Sequence, residues 1–209
     1  MPKELDAFSI MRLHDNMLSE PAWPPGQSLA SQSGVWHSIE ANHRYNTLLW
    51  DEEDKARRTD VDPVEIAACK RRIDRYNQNR NDAVEAIDEA ILAALDAHTR
   101  LDDARLHSET AGAMTDRLSI LCLKIHHMRA QTQRCDAGAA HVAMCSEKLQ
   151  RLIAQRQDLG ACFDQLLAEA RQGRAYFKIY RQFKMYNDPA LNPYLYGRPD
   201  QVAAERAAR

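Results

Sequence analysis

Seven side chains of the chain's first half, His43, Asn46, Glu53, Arg57, Asn77, Arg80 and Asn81, are the types that bind charged and hydroxylated ligands. The row Trp36, Ile39, His43, Asn46, Trp50, Glu53, Arg57 advances by three and four residues, so on a helix all seven share one stripe. A second row, Ile66, Ile73, Asn77, Arg80, Val84, Ile87, Ile91, behaves alike, with Asp74 and Asn81 on its shoulders. Burying an unpaired amide costs about 1 to 3 kcal/mol, and an unpaired charge far more. Polar groups on core stripes therefore need partners or a water-filled cleft. Guanidinium and ammonium groups suit phosphate, amides suit hydroxyls, and carboxylates act as bases or metal ligands. On that chemistry Arg57, Arg80 and Lys124 are candidates to meet phosphate, and His43, Asn46, Asn77 and Asn81 to line the ligand. Glu53, Asp74 and Asp116 are the candidate catalytic carboxylates.

Two plainer accounts compete. Asp51/Lys55, Glu53/Arg57 and Asp54/Arg58 are acid-before-base pairs four apart, which support an exposed helix at roughly 0.2 to 0.5 kcal/mol each. A buried polar network that only fixes helix register is the other. Glu52 and Glu53 with Asp82, Glu85 and Asp88 also supply oxygen donors for a hard cation, Mg2+ or Mn2+, with Glu53 and Asp82 as ligands. An all-α metal-dependent nucleotide hydrolase is the corresponding enzyme class. Further on, Asp116 and Lys124 are eight apart and share a face, whereas His126 and His127 diverge by about 100° and cannot serve one site from one helix. Tyr176, Phe177, Lys178, Tyr180, Arg181, Phe183, Lys184 and Tyr186 mix aromatics with cations, suiting either a packed helix face or a surface for sugar and phosphate.

The elements that must position these groups are helices. Among 209 residues there are seven glycines, and the prolines gather at Pro21/Pro24/Pro25 and Pro189/Pro193/Pro199, so Pro63 alone interrupts a long middle without alternating β-branched runs. The pattern predicts an all-α bundle of about four long helices with short terminal helices and an irregular Pro/Asn-rich tail. A short helix is expected near Phe8 to Leu18, a long one from Gln32 to Arg58, and a second from Pro63 to His98, with Asp62 as its cap. Ser108 or Thr110 caps a third, striped by Met114, Leu118, Leu121, Ile125 and Met128. The fourth carries Val142 through Leu166 and stops near Gly173, and a shorter fifth spans Ala175 to Tyr186. The organisation expected is residues 1–30 as short helix and Pro-rich loop, 31–186 as the bundle and 187–209 as tail.

Bulk properties narrow the function. With 28 basic and 30 acidic residues, a net charge of −2 gives no global reason to approach nucleic acid. No apolar run reaches the roughly 18 residues that a membrane span needs, and the first twenty residues lack a secretory pattern, so a cytoplasmic location is expected. Five scattered cysteines, an odd number with no two-residue-apart pair, suggest free thiols rather than disulfides or a zinc knuckle.

Four strings carry a resemblance: Asn46 to Arg57 (NTLLWDEEDKAR), Ile73 to Asp82 (IDRYNQNRND), Glu109 to Leu121 (ETAGAMTDRLSIL) with Lys124, and Tyr180 to Pro189 (YRQFKMYNDP). Together they resemble the bacterial domain-of-unknown-function family 4254, from about Asn42 to Pro193. Ala111 stands where that pattern has proline before Gly112. The resemblance implies no particular reaction. Members of the family tend to be encoded beside glycosyltransferases of lipopolysaccharide or other surface-glycan assembly. That implies either a protein that binds or processes a phosphorylated sugar or nucleotide-sugar, or a non-catalytic glycosyltransferase partner docking through Tyr176 to Tyr186.

Overall fold

A computed structural model describes residues 5–24, 34–95, 99–182, 185, 188 and 190–196. Among them the helices are α1 (Ala7–Ser19), α2 (Gly34–Ala56), α3 (Pro63–Leu95), α4 (Ala111–Thr132), α5 (Ala139–Arg171) and α6 (Pro193–Tyr196). The only strands among these residues are β1 (Arg105–Leu106) and β2 (Ala175–Tyr176). The all-α expectation holds. The expected ends at Gln32 and His98 lie outside the described residues.

Local chemistry sets each boundary. Asp6 caps α1 by accepting from the Ser9 backbone N–H at 2.7 Å, and Asp62 accepts from Val64 N at 2.7 Å just before α3. Thr110, one of the two expected caps, accepts from Ala113 N at the start of α4. A second acceptor reaches that terminus from α3: Asp88 takes the Gly112 N–H at 2.6 Å. The approach explains the glycine, since a Cβ on Gly112 would run into the Val84 carbonyl and the Asp88 carboxyl. Gly173 ends the α5 segment with φ +72°.

The core lies where α1, α2, α3, α4 and α5 converge, with Ile10, Ile39, Ile87, Ile91, Met114, Leu118, Phe163 and Leu166 almost wholly buried. The stripe expected on the third long helix is thus core at Met114, Leu118, Leu121 and Ile125. Antiparallel packing of α2 on α3 follows from Glu52 against Arg72 near one end and Tyr45 against Tyr76 farther along.

The fifth helix expected from Ala175 does not form over its described residues. Ala175 and Tyr176 pair in parallel with Arg105 and Leu106 instead. The reason is periodicity: Ala175 and Phe177 are buried while Lys178 and Tyr180 are exposed, an alternation of two that a helix cannot satisfy. Arg105 N–H donating to Arg174 O at 2.8 Å and His107 N–H to Tyr176 O at 2.8 Å complete the exchange. Phe183, Lys184 and Tyr186 lie outside the described residues. The described residues from Tyr180 onward belong to a second unit, in which Pro193–Tyr196 make one helical turn where an irregular tail was expected. There Asn192 Oδ1 accepts from Tyr194 N at 3.0 Å, the side-chain cap that starts the turn.

Candidate functional site

The two polar stripes meet α4 in two different ways. Toward the interior Asn42 and Asn46, one turn apart, each donate an amide N–H to the same oxygen of Asp116, both at 2.8 Å. Asn46 also donates to Ser119 Oγ at 3.0 Å, and that hydroxyl stands 2.8 Å from His43 Nδ1. Asn42, His43, Asn46 and Ser119 are buried. Their partners make this half a satisfied network tying α2 to α4. His43 lies between two rings, His14 of α1 with centroids 4.4 Å apart and Trp23 at 5.6 Å. Burial depresses both histidines, His14 well below its usual range and His43 to about 3, so both are neutral at physiological pH. His43 Nε2 and both ring nitrogens of His14 have no hydrogen-bond partner.

Toward the surface the stripes open. A cleft of about 320 Å³ is lined by Asn46, Trp50 and Glu53 of α2, by Arg57 just past its end, by Asn77 and Arg80 of α3, and by Ile120 and Leu123 of α4. Five of the residues singled out on chemistry alone, Asn46, Glu53, Arg57, Asn77 and Arg80, thus share one wall system. Arg80 joins the two halves. One of its terminal nitrogens donates to Asn81 Oδ1 at 3.2 Å, while its Nε, buried and without a hydrogen-bond partner, stays 4.0 Å from Asp116 Oδ1. That separation exceeds a hydrogen bond, so the Nε–H is an unmet donor beneath the cleft. Trp50 forms the opposite boundary, its indole stacked on His127 at 4.4 Å with the two rings nearly parallel.

The remaining candidates lie elsewhere. Asp74 is held by Lys70 at 2.8 Å, and Asp82 is exposed and accepts from Gln78 at 2.7 Å; neither lines the cleft. Asn81 is buried beside Arg80. Lys124 is exposed on a larger neighbouring cavity between α4 and α5. Among the described residues, no three His, Cys, Asp or Glu side chains gather as a set able to hold a metal ion. Glu53 is engaged by Arg57 at 2.9 Å, the one of the three expected local ion pairs that forms as spaced. Lys55 turns to Glu52 and Arg58 to Asp60 instead.

Sequence reasoning passed over Asn42 and weighed Glu52 only as an oxygen donor to a metal. Asn42 is wholly buried, and nothing in its spacing separates it from an exposed shoulder. Glu52 is 6% exposed and accepts from Lys55 at 3.0 Å and Arg72 at 2.8 Å. Burial opposes its ionisation, but the hydrogen bonds from Lys55 and Arg72 outweigh that and hold its carboxyl below the usual range. Asp88, weighed only as a metal ligand, is the helix cap described above, and burial raises its carboxyl to about 6. Asp15 and Arg156 form a second long-range pair at 2.6 Å between α1 and α5.

The geometry defines a helical-bundle protein with an open polar cleft mounted on a buried amide–carboxylate network. The chain matches the family described as protein of unknown function, DUF4254, over residues 36–179 and belongs to that family. No curated protein and no solved structure matches it. No helix among the described residues is long and apolar enough to cross a membrane.

Proposed function

We propose that the cleft between α2, α3 and α4 binds a phosphorylated sugar, and that the protein serves surface-glycan assembly in the cytoplasm. The observation that carries the reading is Arg80: a half-buried guanidinium at the cleft that makes one 3.2 Å hydrogen bond, to Asn81, and meets Asp116 only at 4.0 Å. A phosphate would accept from the terminal N–H groups of that guanidinium, and a second cation, Arg57, lies on the same wall. Asn77 on the facing helix offers an amide to sugar hydroxyls, and Trp50 offers apolar surface to the ring's C–H face. Asp116 is occupied as the acceptor for two buried amides, so its part is to position α2 against α4. Glu53, at the rim, is the carboxylate placed to act as base on a bound ligand. The glycan pathway follows from the gene neighbourhood that the family implies.

The test is thermal unfolding of the full chain with hexose 1-phosphates and hexose 6-phosphates, with and without Mg2+ or Mn2+. A ligand at 100 times its Kd stabilises by about 2.7 kcal/mol, or about 5 to 10 °C for a chain of this size. Asn77→Ala and Arg80→Ala must abolish that shift while folding normally. Absence of any shift in the parent, or a shift untouched by both substitutions, contradicts the reading. A second reading, a docking protein for a glycosyltransferase, draws support from exposed Tyr180 and Met185 in the segment singled out for docking. Pull-down of a co-expressed glycosyltransferase, lost on Tyr180→Ser with Met185→Ser, would favour it.

A further inference from the structure

The cleft is small for anything much beyond a sugar phosphate. At about 320 Å³ it sits at the bottom of the range of ligand pockets, roughly 300 to 1,000 Å³, whereas the cavity on the other side of Trp50 measures about 1010 Å³. Trp50 and Asp54 line both, so one indole separates two adjoining spaces. We propose that this larger cavity, between the C-terminal half of α4 and the N-terminal half of α5, is a binding site for a nucleoside diphosphate.

Three kinds of group in it divide along the parts of such a molecule. Lys124, Lys148 and Arg151 are exposed cations around the opening. No carboxylate among the described residues holds either lysine, and Arg151 meets Glu147 only at 3.6 Å with both ends in solvent. A diphosphate carries the charge they lack. Apolar surface follows inward, from Met128 and Leu152 to the Trp50–His127 stack, and a planar base buries its faces against such surface. Gln131 and Gln155 add primary amides, each with a donor and an acceptor side, which match the mixed edge of a nucleobase. Gln131 Oε1 already accepts from Arg134 at 3.2 Å, so its NH2 is the end left for the base. Asp54 and Asp158 temper the positive charge, which favours a ligand with a neutral part over a bare polyphosphate.

The inference rests on the cleft reading in one respect: with a sugar held by Arg80 and Asn77, the two spaces together accept one nucleoside diphosphate sugar lying across Trp50. The experiment separates the two. Isothermal titration of the full chain uses uridine diphosphate, adenosine diphosphate, inorganic pyrophosphate and glucose 1-phosphate as probes. The variants are Lys148→Glu with Arg151→Glu, both exposed on α5, and separately Asn77→Ala. The expected result is nucleoside diphosphate binding that weakens at least tenfold in the charge-reversed chain and is unchanged by Asn77→Ala. Glucose 1-phosphate should show the converse. No binding of either nucleotide, binding equal in the charge-reversed chain, or pyrophosphate binding as tightly as the nucleotides would each overturn the proposal. Nucleotide binding as expected with no glucose 1-phosphate binding would sink only the sugar cleft.

Discussion

Acidification should destabilise this fold through His43, and an opposing carboxyl must be removed to see it cleanly. His43 is neutral in the folded chain, its pKa pushed by burial to about 3 from an ordinary 6.5. A group depressed in this direction contributes stability that is complete above the unfolded value and is lost as pH falls below it. At pH 5 the unfolded chain has taken up the proton and the folded one has not, a loss of about 2 kcal/mol relative to pH 7.5 at 1.36 kcal/mol per unit. His14, stacked on it and also depressed, adds loss of the same sign. Asp88 acts oppositely, because burial raises its carboxyl to about 6 from 3.8 and the folded state binds a proton first. Between pH 7.5 and 5 that returns about 1.4 kcal/mol. Wild type should therefore lose less stability than Asp88→Asn, which should lose at least about 2 kcal/mol. Urea unfolding at half-unit pH steps, followed by far-ultraviolet circular dichroism, reads both. A flat profile for Asp88→Asn between pH 7.5 and 5 would refute the buried neutral histidine stack, as would a His43→Gln chain in the same background with an undiminished slope.

Three further outcomes follow from packing. Asp116→Ala leaves the buried amides of Asn42 and Asn46 without their acceptor, for a cost of about 2 to 6 kcal/mol in urea melts. Asp116→Asn, which keeps one carbonyl oxygen, should cost much less. Gly112→Ala forces a Cβ against the Val84 carbonyl and should destabilise by about 1 to 3 kcal/mol, read as a lowered melting temperature. Glu52→Gln weakens its bonds to Lys55 and Arg72; since that carboxyl is held below its usual range, its contribution is present at neutral pH and lost as pH falls through the folded value. The wild-type and Glu52→Gln stabilities should converge only once the pH has fallen below the ordinary glutamate range and through that depressed folded value.

The four long helices were legible because capping chemistry and spacing agree: Asp62-Pro63 starts α3, Thr110 starts α4 and Gly173 terminates the α5 segment. The segment after Gly173 was misjudged because its aromatics suit either period, and the deciding partner, Arg105–Leu106, lies some seventy residues away. Site residues were legible where polarity fell on an otherwise apolar stripe, as at His43, Asn46, Asn77 and Arg80. The same cue could not divide them into a dry half and an open half, since that depends on α4 supplying Asp116 and Ser119 to one end of α2 and only Ile120 and Leu123 to the other. Nor could it find Asn42 or the cap at Asp88, whose partners are remote in sequence.

Co-crystallisation with a hexose phosphate would locate the ligand on the bundle. The phosphate should be seated on the Arg80 guanidinium, accepting from its terminal N–H groups, with the sugar between Asn77 and Trp50. An Arg80 whose Nε has closed onto Asp116 with the ligand bound elsewhere on the bundle would contradict the cleft reading.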